Sequence, residues 1–215
     1  MENIELVIFD MDGLIFDSER IFMEQLGSVM AEYGYVLTEN IYLKTIGLNG
    51  IILKETMLKQ YGENYPFEEI SHKARKRVNE IAEDGKLTVK KGIPELLEHI
   101  KRKNIKSCVA SSSPTRFVEQ YLKLYGLYNY FSGVTGGEKV AKSKPEPDIF
   151  LKACADFDVK PDKAIVLEDS QNGIIAAYRA KIRSVCIPDI KVPDEEILKT
   201  AFLVADSALD VIKII

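Results

Sequence analysis

The sequence predicts an α/β fold, an open, doubly wound parallel sheet interrupted once by a helical insert. Three observations predict it. Six short runs read as continuous β-rich stretches rather than alternating ones, as parallel strands covered on both faces require. Segments of helical period separate these runs, and a strand–helix–strand rhythm closes into a parallel sheet with helices on its faces. Between the first and second runs lie about seventy residues with no convincing strand, far more than a crossover needs.

The strand candidates are residues 6–9, 106–110, 133–135, 164–167, 184–187 and 202–204. Ile93, Leu96, Leu97 and Ile100 share one helical face, as do Ile149, Phe150, Ala153, Cys154 and Phe157. In the insert, Phe22, Leu26, Val29, Met30 and Tyr33 mark one helix, and residues 51–61 and 67–82 suggest two more. Lys101-Arg102-Lys103 closes a helix, where cations suit the dipole. The expected division is a core of residues 1–17 and 89–215 with a helical cap of residues 18–88. Its two linkers, near 17–19 and 88–92, are expected to lack sheet pairing with each other and so to form a hinge for rigid-body closure.

Composition bounds the function. The 215 residues are 46% hydrophobic and 29% charged, ordinary for a globular protein. A net charge of -4 provides no basic field for nucleic acid. No apolar run reaches the length of a signal segment or membrane span, so a cytoplasmic monomer without a membrane partner is expected. The cysteines, Cys108, Cys154 and Cys186, are odd in number, fit no zinc spacing and each lie in an apolar stretch, which reads as burial. His72 and His99 lie far apart among helix-type polar residues and are expected to be solvated. A histidine metal centre or Ser-His triad is therefore hard to build.

Four features fall at or beyond the C-terminal ends of predicted strands, where open α/β sheets bind ligands. Asp10-Met11-Asp12-Gly13 follows the first strand; carboxylates two residues apart on extended chain point the same way and can hold a cation or divide nucleophilic and acid/base work. Ser111-Ser112-Ser113-Pro114 follows the second. Pro114 suits a first helical position and Ser113 its N-cap, leaving Ser111 and Ser112 in a turn whose hydroxyl and N–H groups can bind phosphate. Lys144 stands between Ser143 and Pro145, on backbone stiffened by two prolines. Glu168-Asp169-Ser170 follows the fourth strand, with Asp169 or Ser170 able to cap the next helix. Each alone is commonplace. Together, two acidic strand ends, a hydroxyl turn and a braced lysine suit a hard cation and a phosphate.

These residues resemble the four motifs of the haloacid dehalogenase superfamily: Asp10-Met-Asp12-Gly-Leu-Ile-Phe-Asp17-Ser18-Glu19, then Ser111, Lys144 and Glu168-Asp169, in order. The resemblance spans the chain and is closest to the β-phosphoglucomutase-like branch of phosphatases and mutases. It implies a Rossmann-like core with an inserted α-helical cap and a small phosphorylated metabolite as substrate. It further implies Asp10 as a transiently phosphorylated nucleophile, Asp12 as general acid/base, and Ser111, the Ser112 backbone and Lys144 as phosphate holders. Mg²⁺ would be held by Asp10, the Asp12 carbonyl and Asp169, with Glu168 ligating or orienting a ligand. In the β-phosphoglucomutases proper a histidine stands where Phe22 stands here, and an arginine roughly where Gly50 stands. Their absence favours a phosphatase over a phosphomutase, dehalogenation is disfavoured by Asp12, and a non-catalytic binder by the intact motifs. Within the cap, the loop 47–50, with Asn49, is the expected reader of the leaving group, and Lys73 of the basic cluster Lys73, Arg75, Lys76 and Arg77 is the cation carried over from a loose alignment.

Overall fold

The computed structural model describes residues 4–48 and 50–215. Six strands form one parallel sheet: β1 (Leu6–Phe9), β2 (Lys106–Ser111), β3 (Gly133–Gly136), β4 (Ala164–Glu168), β5 (Arg183–Cys186) and β6 (Leu203–Val204), in spatial order β3-β2-β1-β4-β5-β6. The helices are α1 (Ser18–Glu32), α2 (Glu39–Thr45), α3 (Gly50–Tyr61), α4 (Phe67–Glu83), α5 (Ile93–Arg102), α6 (Thr115–Leu124), α7 (Asp148–Asp156), α8 (Gln171–Arg179), α9 (Glu195–Leu198) and α10 (Ala208–Val211). The chain separates into two compact units, Met1–Asp17 with Thr88–Ile215, and Ser18–Leu87. No helix among the described residues is long and apolar enough to cross a membrane.

The fold class is the one the alternation predicts, and the reason is burial. All four β1 residues are buried, as are all five of β4, which only a strand covered on both faces can use. On one face, Leu6, Ile8, Cys108, Ala110, Ala164 and Val166 pack with Ile149, Phe150, Ala153 and Cys154 of α7 and with Ala176 and Ala177 of α8. Burying each large side chain stabilises by about 1.5–3 kcal/mol, so β1 is held rigidly where it delivers the next residue, Asp10. In α5 the periodic set Ile93, Leu96, Leu97 and Ile100 is buried, Pro94 stands in its first turn, and Lys101 and Arg102 occupy its last.

In the helical unit, α1 buries Leu26, Val29 and Met30, and α4 buries Phe67, Ile70, Ala74 and Ala82. One helix was not anticipated: α2 spans seven residues and buries only Tyr42 and Thr45, too short a stripe to show periodicity, though the Thr38 hydroxyl caps it by accepting from the Ile41 N–H.

The expectation of unpaired linkers is corrected. The Asp17 N–H donates to the Thr88 carbonyl at 2.9 Å, the Lys90 N–H donates to the Ile15 carbonyl at 2.9 Å, and Phe16 forms an antiparallel bridge with Val89. Backbone groups leaving a buried core must find partners, and here the outgoing and returning segments supply each other. Lys90 is further paired with the nearly buried Asp189 carboxylate. His99 also departs from expectation. It is half-buried, its Nε2 3.1 Å from the Ile215 carbonyl, whereas His72 is exposed. All three cysteines are buried and free. Burial raises their thiols, Cys154 to about 11 and Cys186 to about 12, so none offers a thiolate nucleophile at neutral pH.

Candidate active site

The sheet order positions the site. From β1 the chain builds outward through β2 to β3, then returns to the other flank of β1 as β4 and builds outward again. Connections therefore diverge between β1 and β4, the point at whose carboxyl ends open α/β sheets bind ligands. Phe9 pairs with Leu167, and the Asp10 N–H donates to the Leu167 carbonyl at 3.0 Å. This register sets Asp10 beside Glu168 and Asp169. One carboxylate oxygen from each of the three lies within 4.8 Å of the others.

Two glycines make room. Gly13 has φ +78°, which an L side chain rarely adopts, and a Cβ there would overlap the Asp169 carboxylate. At Gly173, in the first turn of α8, a Cβ would overlap the Glu168 carboxylate. Ser170 caps that helix, accepting from the Gly173 N–H at 3.1 Å.

Lys144 reaches in from the loop after β3. Its ammonium donates to Asp10 Oδ1 at 2.5 Å and to Glu168 Oε1 at 2.6 Å, and lies 5.0 Å from the centre of the Phe150 ring. Its side chain is only 8% exposed and that of Glu168 fully buried. The second Glu168 oxygen accepts from the Asp169 N–H (3.1 Å), the Ser170 N–H (3.0 Å) and the Ser170 hydroxyl (2.9 Å). Both oxygens of this carboxylate are thus engaged by the protein itself.

Electrostatics follow from this crowding. Burial pushes the Asp10 carboxyl up to about 8; Lys144 opposes that shift, while the Glu168 and Asp12 carboxylates reinforce it. For Lys144, burial alone would lower the ammonium, but Asp10 and Glu168 outweigh it and the net shift is upward. Four carboxylates, Asp10, Asp12, Glu168 and Asp169, share the neighbourhood of one ammonium. A dense, oxygen-only donor set with this excess of acid fits a hard divalent cation.

On the other flank of β1, Ser111 is the last residue of β2 and is buried rather than lying in the turn; its hydroxyl accepts from the Ser113 N–H at 3.0 Å. Ser112 is exposed. The expected capping by Ser113 is corrected. Helix α6 begins one residue later, with Pro114 as N-cap and no side-chain cap from it, and the Thr115 N–H is taken by the Glu138 carboxylate at 3.1 and 3.2 Å. Pro114 holds ψ 140°, extended rather than helical. Ser113 instead turns its hydroxyl toward Asp12 Oδ2, 3.4 Å away. The triple hydroxyl run was the visible signal for this residue, and its capping alternative obscured it.

The structure therefore brings together Asp10, Asp12, Lys144, Glu168 and Asp169, with Ser111 at the end of the strand next to β1 and Ser112 just beyond it. Lys73 lies in the helical unit, its ammonium 2.6 Å from Glu32, which also binds Arg77, and 5.6 Å from the centre of the Tyr33 ring. Asn49 lies outside the described residues.

A profile of the family described as haloacid dehalogenase-like hydrolase matches residues 7–187. The chain is 33% identical to the phosphorylated carbohydrates phosphatase of Thermotoga maritima over 187 residues, 84% of this chain and 83% of that one. It is 31% identical to hexitol phosphatase B of Escherichia coli (strain K12) over 183 residues, 84% of this chain and 82% of that one. Among solved structures it is similar to CbbY from Rhodobacter sphaeroides in complex with phosphate, with a TM-score of 0.78 and 26% identity across 97% of this chain and 96% of that one.

Proposed function

This chain belongs to the haloacid dehalogenase-like hydrolase family, and we propose from that premise that it hydrolyses a small phosphomonoester, a sugar phosphate or related metabolite, through an aspartyl phosphate on Asp10. The observation that carries the reading is the buried lysine bound to two strand-end carboxylates at the point where the sheet's connections diverge. Its relatives are named as phosphatases of phosphorylated carbohydrates and hexitols, which supports the substrate class.

In this reading an Asp10 oxygen attacks phosphorus and the ester bond breaks. Asp12, half-buried and two residues on, gives its proton to the departing alkoxide. It then takes a proton from the water that hydrolyses the aspartyl phosphate, which restores both carboxyl groups. The Ser111 hydroxyl and Ser112 N–H hold phosphoryl oxygens, and Lys144 balances their charge. Mg²⁺, when bound, would neutralise the repulsion between carboxylate and phosphate. Asp10, Asp169 and the Asp12 carbonyl would hold it. Glu168, with both oxygens already engaged, orients Lys144 and the Asp169 backbone. Lys73 is not carried into this assignment, because its charge is satisfied by Glu32. Phe22, 6.4 Å from Tyr42 ring to ring, offers no polar group for a sugar, which supports hydrolysis over mutase chemistry.

A panel of phosphate esters assayed for phosphate release, with Mg²⁺ and after EDTA treatment, tests the proposal. Metal-dependent release from a sugar phosphate is expected; no release from any ester would overturn it. Asp12→Ala should lower turnover of alkyl phosphates by about 10²–10⁴. The loss should be smaller for nitrophenyl phosphate, whose leaving group needs little protonation, and equal losses on both would count against the acid role.

Asp10 also gives metal binding a pH dependence. With its carboxyl raised to about 8, a cation must displace a proton, so Mg²⁺ affinity should weaken about tenfold per pH unit below that value. In the metal-free protein the sign of the stability effect is opposite to that of an ordinary ion-paired aspartate. The folded state keeps the proton longer than the unfolded chain does. Its contribution is thus full below the usual carboxylate pKa and is lost as pH rises toward about 8. Calorimetric Mg²⁺ titrations at pH 6, 7 and 8 check this, and an affinity flat across that range would contradict it.

A further inference from the structure

The geometry points to Glu138 as a positioning residue that fixes the phosphate-binding turn, residues 111–113, from the neighbouring strand's end; this rests on the reading of Ser111 and Ser112 as phosphate holders. Four contacts converge. Ser111 pairs with Gly136 at the last rung of β2 and β3. The Gly137 N–H donates to the Ser113 carbonyl at 3.2 Å. A Cβ at Gly137 would overlap the Ser112 carbonyl, so that backbone lies directly on the Ser112 peptide. Both Glu138 oxygens then accept from the Thr115 N–H, the first donor of α6.

The arrangement follows from a vacancy in the local chemistry. A helix start needs acceptors for its first N–H groups, and Pro114 as N-cap has no side chain that can accept. Glu138 supplies the acceptor from 23 residues away, in the short 3-10 turn Gly137–Lys139 that leaves β3. The Thr115 hydrogen bond is the leading cause holding the Glu138 carboxyl below its ordinary range, as expected of an anion at a helix N-terminus. Because the chain's own carboxylate occupies that N-terminus, a substrate phosphate is directed to the Ser111 hydroxyl and the Ser112 N–H. Their aim depends on the turn staying pressed between α6 and Gly137.

A group that only aims phosphate ligands acts equally on ground state and transition state, so its loss should appear in KM and leave kcat nearly unchanged. The test compares Glu138→Ala and Glu138→Gln with the parent in Mg²⁺, reading KM, kcat and the inhibition constant of inorganic phosphate. Glu138→Ala should raise KM and the phosphate inhibition constant together, by about fivefold, with kcat within about twofold. Glu138→Gln, whose amide oxygen still accepts from Thr115, should stay near the parent. A folded Glu138→Ala protein with unchanged phosphate inhibition overturns the inference, as does a Gln variant as weak as the Ala variant. A parent that neither hydrolyses phosphate esters nor is inhibited by phosphate would instead overturn the proposed function.

Discussion

Asp10→Asn should reduce turnover of every phosphate ester on the order of 10⁴-fold or more, while the protein stays folded. The amide keeps the shape of the side chain but has no lone pair able to attack phosphorus, and it is a poorer ligand for a hard cation. Retention of the fold has a specific reason here. In the metal-free protein burial pushes the Asp10 carboxyl up to about 8, so the site disfavours a charge there, and asparagine supplies the same shape without one. Lys144 keeps its bond to Glu168. The melting temperature without metal should therefore hold or rise, and the gain in stability that Mg²⁺ gives the parent should shrink in the variant. Turnover within tenfold of the parent, with deamidation excluded by mass spectrometry, would remove Asp10 as nucleophile.

Lys144→Met should have the second-largest effect, and it should be double. The ammonium lies between two carboxylates, one fully buried. Removing one partner of a buried ion pair costs about 3–5 kcal/mol, because the other charge is left uncompensated. Glu168 would lose the donor to Oε1 and retain those to Oε2, which places the expected loss near the lower end of that range. Turnover should also fall by about 10²–10³, since the phosphoryl oxygens lose their counter-charge. A second substitution separates the two effects: Lys144→Met with Glu168→Gln should recover much of the stability in urea denaturation and none of the activity. Recovery of turnover along with stability would show Lys144 to be structural only.

How much of this was legible in the sequence depends on the range of the interaction. Strands β1 and β4 announce themselves because each is apolar at nearly every position, β2 through its short apolar run 108–110, and Asp10, Ser111 and Glu168 stand out because they interrupt or end those runs. The charge relation among Asp10, Lys144 and Glu168 has no local signature. It arises from the order in which strands enter the sheet: the strand-end positions predicted that these groups converge, and the motif resemblance gave each its role. Helix α2 was missed because seven residues with two buried side chains carry no measurable period. Glu138 was invisible for a different reason: an exposed acid near two glycines reads as a solvated turn, and its partner is a backbone N–H that any residue but proline would supply. The linker pairing joins residues some seventy positions apart through backbone alone, so no side-chain pattern records it.

That pairing has a consequence for how the protein could be rebuilt. Asp17 and Thr88 face each other across a backbone hydrogen bond, as do the two residues that flank the loop of a two-residue hairpin. To the core, everything from Ser18 to Leu87 is a loop with a closed neck, and its length is immaterial to the strands beyond that neck. Loop-closure entropy grows only with the logarithm of length. The segment is therefore an exchangeable cassette. It could be excised and the neck joined by an Asn-Gly turn, or replaced by an insert of another size, without changing the order in which β1 and β2 enter the sheet.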